Sequence, residues 1–129
     1  QRYAGEGHPW LEDKGARPDW DELRKQKLAG LGYHSPNLEL THLRRLERSA
    51  TASDQEAVAT LVLSGQFVGF LPDHYAEPFV RSGRMRAVSP TVLNYDCRFS
   101  AILRQSPKPL RLTQAFFDAL CAAHGVAAR

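Results

Sequence analysis

The chain has 129 residues, 43% of them hydrophobic and 24% charged, enough apolar material for the single core of one soluble domain. The net charge of +3 and the pI near 9.1 rest mostly on arginines spread over the chain, the closest set being Arg81, Arg84 and Arg86; this reads as a solvated rim and not as a phosphate-binding patch. Two cysteines outside any CxxC pair make no disulfide framework and point to a reducing compartment, no apolar run reaches membrane-spanning length, and no signal peptide is readable.

Residues 1–6 read as a short strand running into a turn at Gly7-His8-Pro9, because proline holds the preceding residue extended. A polar segment broken at Gly15 and Pro18 leads to a short helix. There Asp19 caps the free N–H groups, Glu22 completes a capping box, and Leu23 faces inward. Residues 27–32 form a weak strand on Leu28 and Leu31, ended by the turn-rich Gly32-Tyr33-His34-Ser35-Pro36. Asn37 caps a helix in which Leu40, Leu43 and Leu46 share a face, and residues 47–51 form the next strand. The strongest local signal is Ser53-Asp54-Gln55-Glu56, a second capping box. Ala57, Val58, Leu61 and Val62 follow at helical spacing, and Gly65 supplies the stop.

The run 66–71 is apolar and aromatic, as suits a central strand buried on both faces. After Pro72-Asp73 comes a helical stripe of Tyr75, Ala76, Phe79 and Val80, whose first turn Pro78 should weaken or shift. Residues 84–88 read as a short strand. Residues 95–105 read as a longer one, with Phe99, Ala101 and Leu103 on one face. The last helix is expected from Thr113, stapled by Leu112 and Phe117, with Ala115, Phe116, Ala119, Leu120 and Ala123 as its buried stripe.

Strands alternating with helices imply an α/β fold with parallel strands joined by crossovers, and such sheets bind ligands beyond the carboxyl ends of their strands. Those ends are the loops at Tyr33, at Thr51 to Ser53 and at Pro72-Asp73. Catalytic patterns are missing. The five histidines, His8, His34, His42, His74 and His124, have no metal-ligand spacing. Ser64-Gly65 and Ser82-Gly83 lie in no GxSxG and read as helix ends, while Cys97 and Cys121 read as packed thiols. The carboxylates Asp13, Asp19, Asp21 and Glu22 cluster near a helix start, where the helix dipole accounts for them. The pattern points to binding, with no cofactor and no metal.

The segment Gln66-Phe67-Val68-Gly69-Phe70-Leu71-Pro72-Asp73-His74-Tyr75-Ala76, after a helix ending Leu61-Val62-Leu63-Ser64-Gly65, resembles the late signature of LysR-type transcription regulators. In that family a helix ends in glycine, a short apolar strand follows, and an LP turn opens the next helix. Phe79-Val80-Arg81-Ser82-Gly83-Arg84-Met85 is similar to the family's next helix, glycine and strand. The HP turn at His8-Pro9 with Asp21-Glu22-Leu23, residues 96–105, and Ala115-Phe116-Phe117-Asp118-Ala119-Leu120 extend the likeness over nearly the whole chain. The resemblance implies a periplasmic-binding-protein-like lobe, a mixed, mostly parallel sheet with flanking helices, within an incomplete two-lobe domain. Residues 1–90 are then the second lobe of the effector-binding domain. Residues 91–129 are the crossover strand and closing helix of the first lobe. The winged helix-turn-helix that family members use on DNA is expected upstream of Gln1.

The function so implied is effector sensing in a cytoplasmic transcription regulator, not catalysis. A small molecule between the lobes favours one arrangement of a DNA-bound homodimer or homotetramer. DNA is a partner only through the missing N-terminal domain, and no membrane is involved. The helix over residues 54–64 and the strand before it are the expected assembly surface. Alternatives are a periplasmic-type solute-binding protein or a small α/β enzyme. The expected effector-binding residues are Tyr33, His34, Ser35, Thr51, Ala52, Ser53, Leu71 and Pro72. Ser53 begins a helix whose free N–H groups attract anions, so the effector is expected to be anionic. Only His34 is expected to add a positive charge there.

Overall fold

The computed structural model describes residues 1–13, 15–33, 36–96 and 100–125, and the side chains of 36–38 are outside the description. The chain divides into two compact units, Gln1–Asp96 and Cys97–Arg129.

The first unit is built on a five-stranded sheet of β1 (Arg2–Gly5), β2 (Leu28–Leu31), β3 (Arg48–Ala52), β4 (Val68–Phe70) and β5 (Met85–Ala87), in the spatial order β3-β2-β4-β1-β5. β2 runs parallel to β3 and to β4, while β1 is antiparallel to both β4 and β5. The sheet is therefore mixed, two of its four pairings parallel and two antiparallel, with β1 its one reversed member. Alternation along the chain cannot show that the first strand lies between the last two. Every residue of β1, β2 and β4 is buried, the pattern of strands covered on both faces. β3 alternates between half-buried and exposed, as befits an edge.

The helices are α1 (Pro9–Glu12), α2 (Trp20–Arg24), α3 (Pro36–Leu43), α4 (Gln55–Leu63) and α5 (Asp73–Arg81). α1 lies in the segment expected to be irregular. It forms because Pro9 takes the first helical position and the Nδ1 of His8 accepts from the Trp10 N–H at 3.1 Å. α2 carries its expected capping box in full. Asp19 accepts from Asp21 and Glu22, Glu22 reaches back to the Asp19 N–H, and Leu23 is buried. α3 starts at Pro36, so Asn37 lies inside it and is not its cap. Leu43 is 78% exposed, whereas Leu46, beyond the helix, is buried. The three leucines thus do not share an inward face, and Leu46 reaches the core from beyond the turn at Arg45, which has φ 53.

α4 buries Val58, Ala59 and Val62 on the sheet, and Leu61 lies half-buried at the rim of that core. Gly65 ends the helix with φ +71, as expected, and a Cβ there would stand 2.2 Å from the Glu6 carbonyl oxygen. α5 runs without a break through Pro78. Pro78 offers no N–H to the His74 carbonyl, and both residues are exposed. Two clusters result, one on each face. The first joins Val58, Val62, Leu71, Ala76 and Met85 under α4 and α5; the second joins Leu23, Leu28, Phe70, Val88 and Leu93.

His8 belongs with this frame. Burial holds its imidazole below its ordinary value of 6.5, with a hydrogen bond to Gln26 acting the other way. The unfolded state therefore binds the proton more readily, and folding stability falls as pH drops through 6.5. Replacing His8 with Asn keeps a capping side chain and should flatten that part of the curve, as urea unfolding at a series of pH values would show.

The second unit departs from expectation. No described residue from 100 to 105 lies in a strand, and Ile102 is 93% exposed. A lone strand leaves its backbone groups without partners and does not hold. Phe99 and Cys97 lie outside the described residues. α6 (Arg111–Ala123) begins two residues before Thr113. Its expected buried stripe is not buried. Phe116 is 71% exposed, Ala115, Ala119 and Ala123 are exposed, and only Leu120 is half-covered. Helical spacing shows that a face is apolar, not that its partner lies in the same stretch of chain.

Candidate functional site

The parallel alignment of β2, β3 and β4 brings their carboxyl ends to one edge of the sheet. The loops that follow are those at Tyr33, Thr51 to Ser53, and Leu71-Pro72. β1 runs the other way, so its first residues return to the same edge. There the Leu71 N–H donates to the Gln1 carbonyl at 3.1 Å, and Arg2 stands opposite Phe70.

Of the expected contacts, Tyr33 is 52% exposed and Thr51 and Ser53 are exposed. Thr51 is close to the β2 end, with its Cβ 3.7 Å from the place a side chain on Gly32 would take. Pro72 is half-buried; Ala52 is half-buried and packs against the core under α4. Leu71 is 2% exposed within that core, and its backbone N–H donates to the Gln1 carbonyl. His34 and Ser35 lie outside the described residues.

Ser53 does not cap α4 as expected. Asp54, not Ser53, caps α4, accepting from the Ala57 N–H at 2.8 Å, while the Ser53 hydroxyl donates to Asp54 at 3.1 Å. The Ala57 bond and then the Ser53 hydroxyl hold the Asp54 carboxyl below its ordinary range. The helix end is already matched by a carboxylate of its own, and the anion seat expected there is filled. Both residues are good caps, and Ser53-Asp54 offered two registers one residue apart.

Two residues at this edge, Arg48 and Tyr3, were not expected there from the sequence. Arg48, at the start of β3, sends its guanidinium along the strand to the carbonyl of Leu31, the last residue of β2. Tyr3 donates its phenol to Asp73 at 3.0 Å. Burial, then Asp73, pushes the Tyr3 phenol well above its ordinary value, so it is a neutral hydrogen-bonding group and no base. Among the described residues, the edge therefore brings together the Arg48 guanidinium and the carboxylates of Asp54 and Asp73. No signal of spacing marks Arg48. Its reach depends on the parallel pairing of β2 with β3.

Among the described residues no group of three or more His, Cys, Asp or Glu side chains is placed to hold a metal ion, and no helix is long and apolar enough to cross a membrane.

Residues 3–124 match the family described as the LysR substrate binding domain. Over 120 residues the chain is 30% identical to the HTH-type transcriptional activator BauR of Pseudomonas aeruginosa, an alignment covering 93% of this chain. The chain spans 39% of the length of that relative.

Proposed function

Because the chain belongs to the LysR substrate-binding domain family, a family of effector-sensing domains in transcription regulators with a periplasmic-binding-protein-like fold, we propose that the edge formed by the β2, β3 and β4 loops is one wall of its effector cleft. The single observation behind this reading is the parallel register of those three strands, which gathers their ends at one edge. Tyr33, Thr51, Ser53 and Pro72 present side chains to that cleft, and Ala52 contributes backbone. An acidic group on the effector is placed beside Arg48, whose planar fork suits a carboxylate, and away from Asp54 and Asp73. The role is binding and not catalysis, since the ionisable phenol at the edge is tied to Asp73.

Residues 1–90 are read as the second lobe, and residues 91–129 as the part of the chain that returns to the first. The exposed apolar face of α6 supports that assignment, because no described residue of its own unit covers it. DNA binding, through a winged helix-turn-helix outside these residues, is proposed by likeness to the relative, as is a reducing cytoplasmic setting. Assembly into a dimer or tetramer is proposed through the open edge of β3 and the outer side of α4. The inner side of α4 is spent on its own sheet.

The test is a calorimetric titration of small carboxylic and amino acids into the two-lobed domain. Arg48→Gln should weaken the binding of an acidic effector at least about tenfold, the effect of losing one charge-assisted contact. Thr51→Ala and Ser53→Ala should each weaken it less. Unchanged affinity in all three variants would show that the ligand lies elsewhere.

A further inference from the structure

We propose that Arg2 anchors a second, anion-binding site, which takes a small carboxylate beneath the turn over residues 89–95. Arg2 is fully buried, and none of its three guanidinium nitrogens has a hydrogen-bond partner. Its guanidinium lies 3.8 Å from the centre of the Phe70 ring, with Tyr95 standing edge-on to that ring at 5.2 Å. Stacking uses the flat face of the cation and leaves the in-plane N–H donors unspent. A buried cation without a counter-charge is among the least favourable arrangements in a core. The missing component is a planar anion, and a carboxylate matches the guanidinium fork with two parallel bonds.

A second orphan lies on the covering turn. The Ser89 hydroxyl is buried without a partner, and Ser89 has φ 44, in the region L-residues avoid. The turn is tied to Arg2 itself. The Arg2 N–H donates to the Leu93 carbonyl at 3.2 Å, and the Val88 N–H donates to the Arg2 carbonyl at 2.9 Å. Two unpaired polar groups, one cationic and one a hydroxyl, therefore belong to segments hydrogen-bonded to each other. Strained residues of this kind cluster at ligand sites, and access to Arg2 requires this turn to lift. Burial also pulls the Arg2 pKa well down, with Tyr95 acting the other way. Arg2 belongs to the strand end as well, but the site uses the Phe70 and Tyr95 side of the sheet and draws on neither Thr51 nor Ser53.

The experiment is thermal unfolding of the chain in sodium acetate against sodium chloride at equal ionic strength. Acetate should raise the wild-type Tm saturably, by about 3 °C or more above chloride. Arg2→Met, which keeps an unbranched chain on Phe70 without the charge, should lose the acetate response, and Thr51→Ala should keep it. No acetate-specific rise in the wild type, an equal rise in Arg2→Met, or loss of the rise in Thr51→Ala would each overturn the proposal. Should Arg2→Met not fold, ¹³C-acetate in the wild type decides. Nuclear Overhauser contacts to the Phe70 and Tyr95 rings support the site, and contacts only elsewhere refute it.

Discussion

Gly5→Ala is expected to unfold the lobe or to lower its stability by more than about 3 kcal/mol, the upper end of overpacking costs in well-packed cores. A Cβ at Gly5 would lie 2.0 Å from the Val62 carbonyl oxygen and 2.8 Å from its carbonyl carbon. Both atoms are backbone in the last turns of α4, so no side-chain rotation relieves the clash. The helix would have to move off the sheet, and with it Val58, Ala59 and Val62, all buried beneath it. Gly83→Ala is the control. Gly83 has φ +75 but open space around it, so the change there costs only backbone strain, about 1–2 kcal/mol. Urea unfolding of the two variants separates crowding from strain. Gly5→Ala within about 1 kcal/mol of the wild type would mean that α4 is not seated on β1 as described.

Phe70→Ala should cost about 3–5 kcal/mol, the range for truncating a buried phenylalanine. Phe70 is 1% exposed, at the centre of the second cluster. It carries the Arg2 guanidinium on one face, meets Tyr95 edge-on, and lies 6.4 Å from the Trp20 ring. Truncation removes all three contacts and leaves the Arg2 charge buried with no aromatic support, a loss added to the cavity term. Phe70→Leu fills most of the volume and should cost clearly less. The midpoints of denaturant unfolding give both values. Equal loss in the two variants would show that the ring contacts contribute nothing beyond volume.

The strand-end edge illustrates how far local reasoning carries. The three loops were legible because each follows a run of apolar residues that ends in turn formers, and parallel strands place such loops together. Arg48 and Tyr3 were not legible as members of that edge. Arg48 reaches it only because β3 lies beside β2, and Tyr3 only because β1 returns antiparallel between β4 and β5.

What the sequence determined by itself was whatever closes within a few residues. The Asp19–Glu22 capping box, the stop at Gly65, the apolar spacing of Val58 and Val62 and the unbroken burial of β4 all follow from contacts within one or two helical turns or from the two-residue period of a strand. Only the tertiary structure decided the rest. It put β1 in the sheet interior, turned Leu71 into core, gave the α4 cap to Asp54, and left the apolar face of α6 open. It also buried Arg2, a residue whose type predicts exposure. The physical reason is the same in each case. Periodicity states which face is apolar, but what covers that face is set by partners far along the chain, and no local energy term contains them.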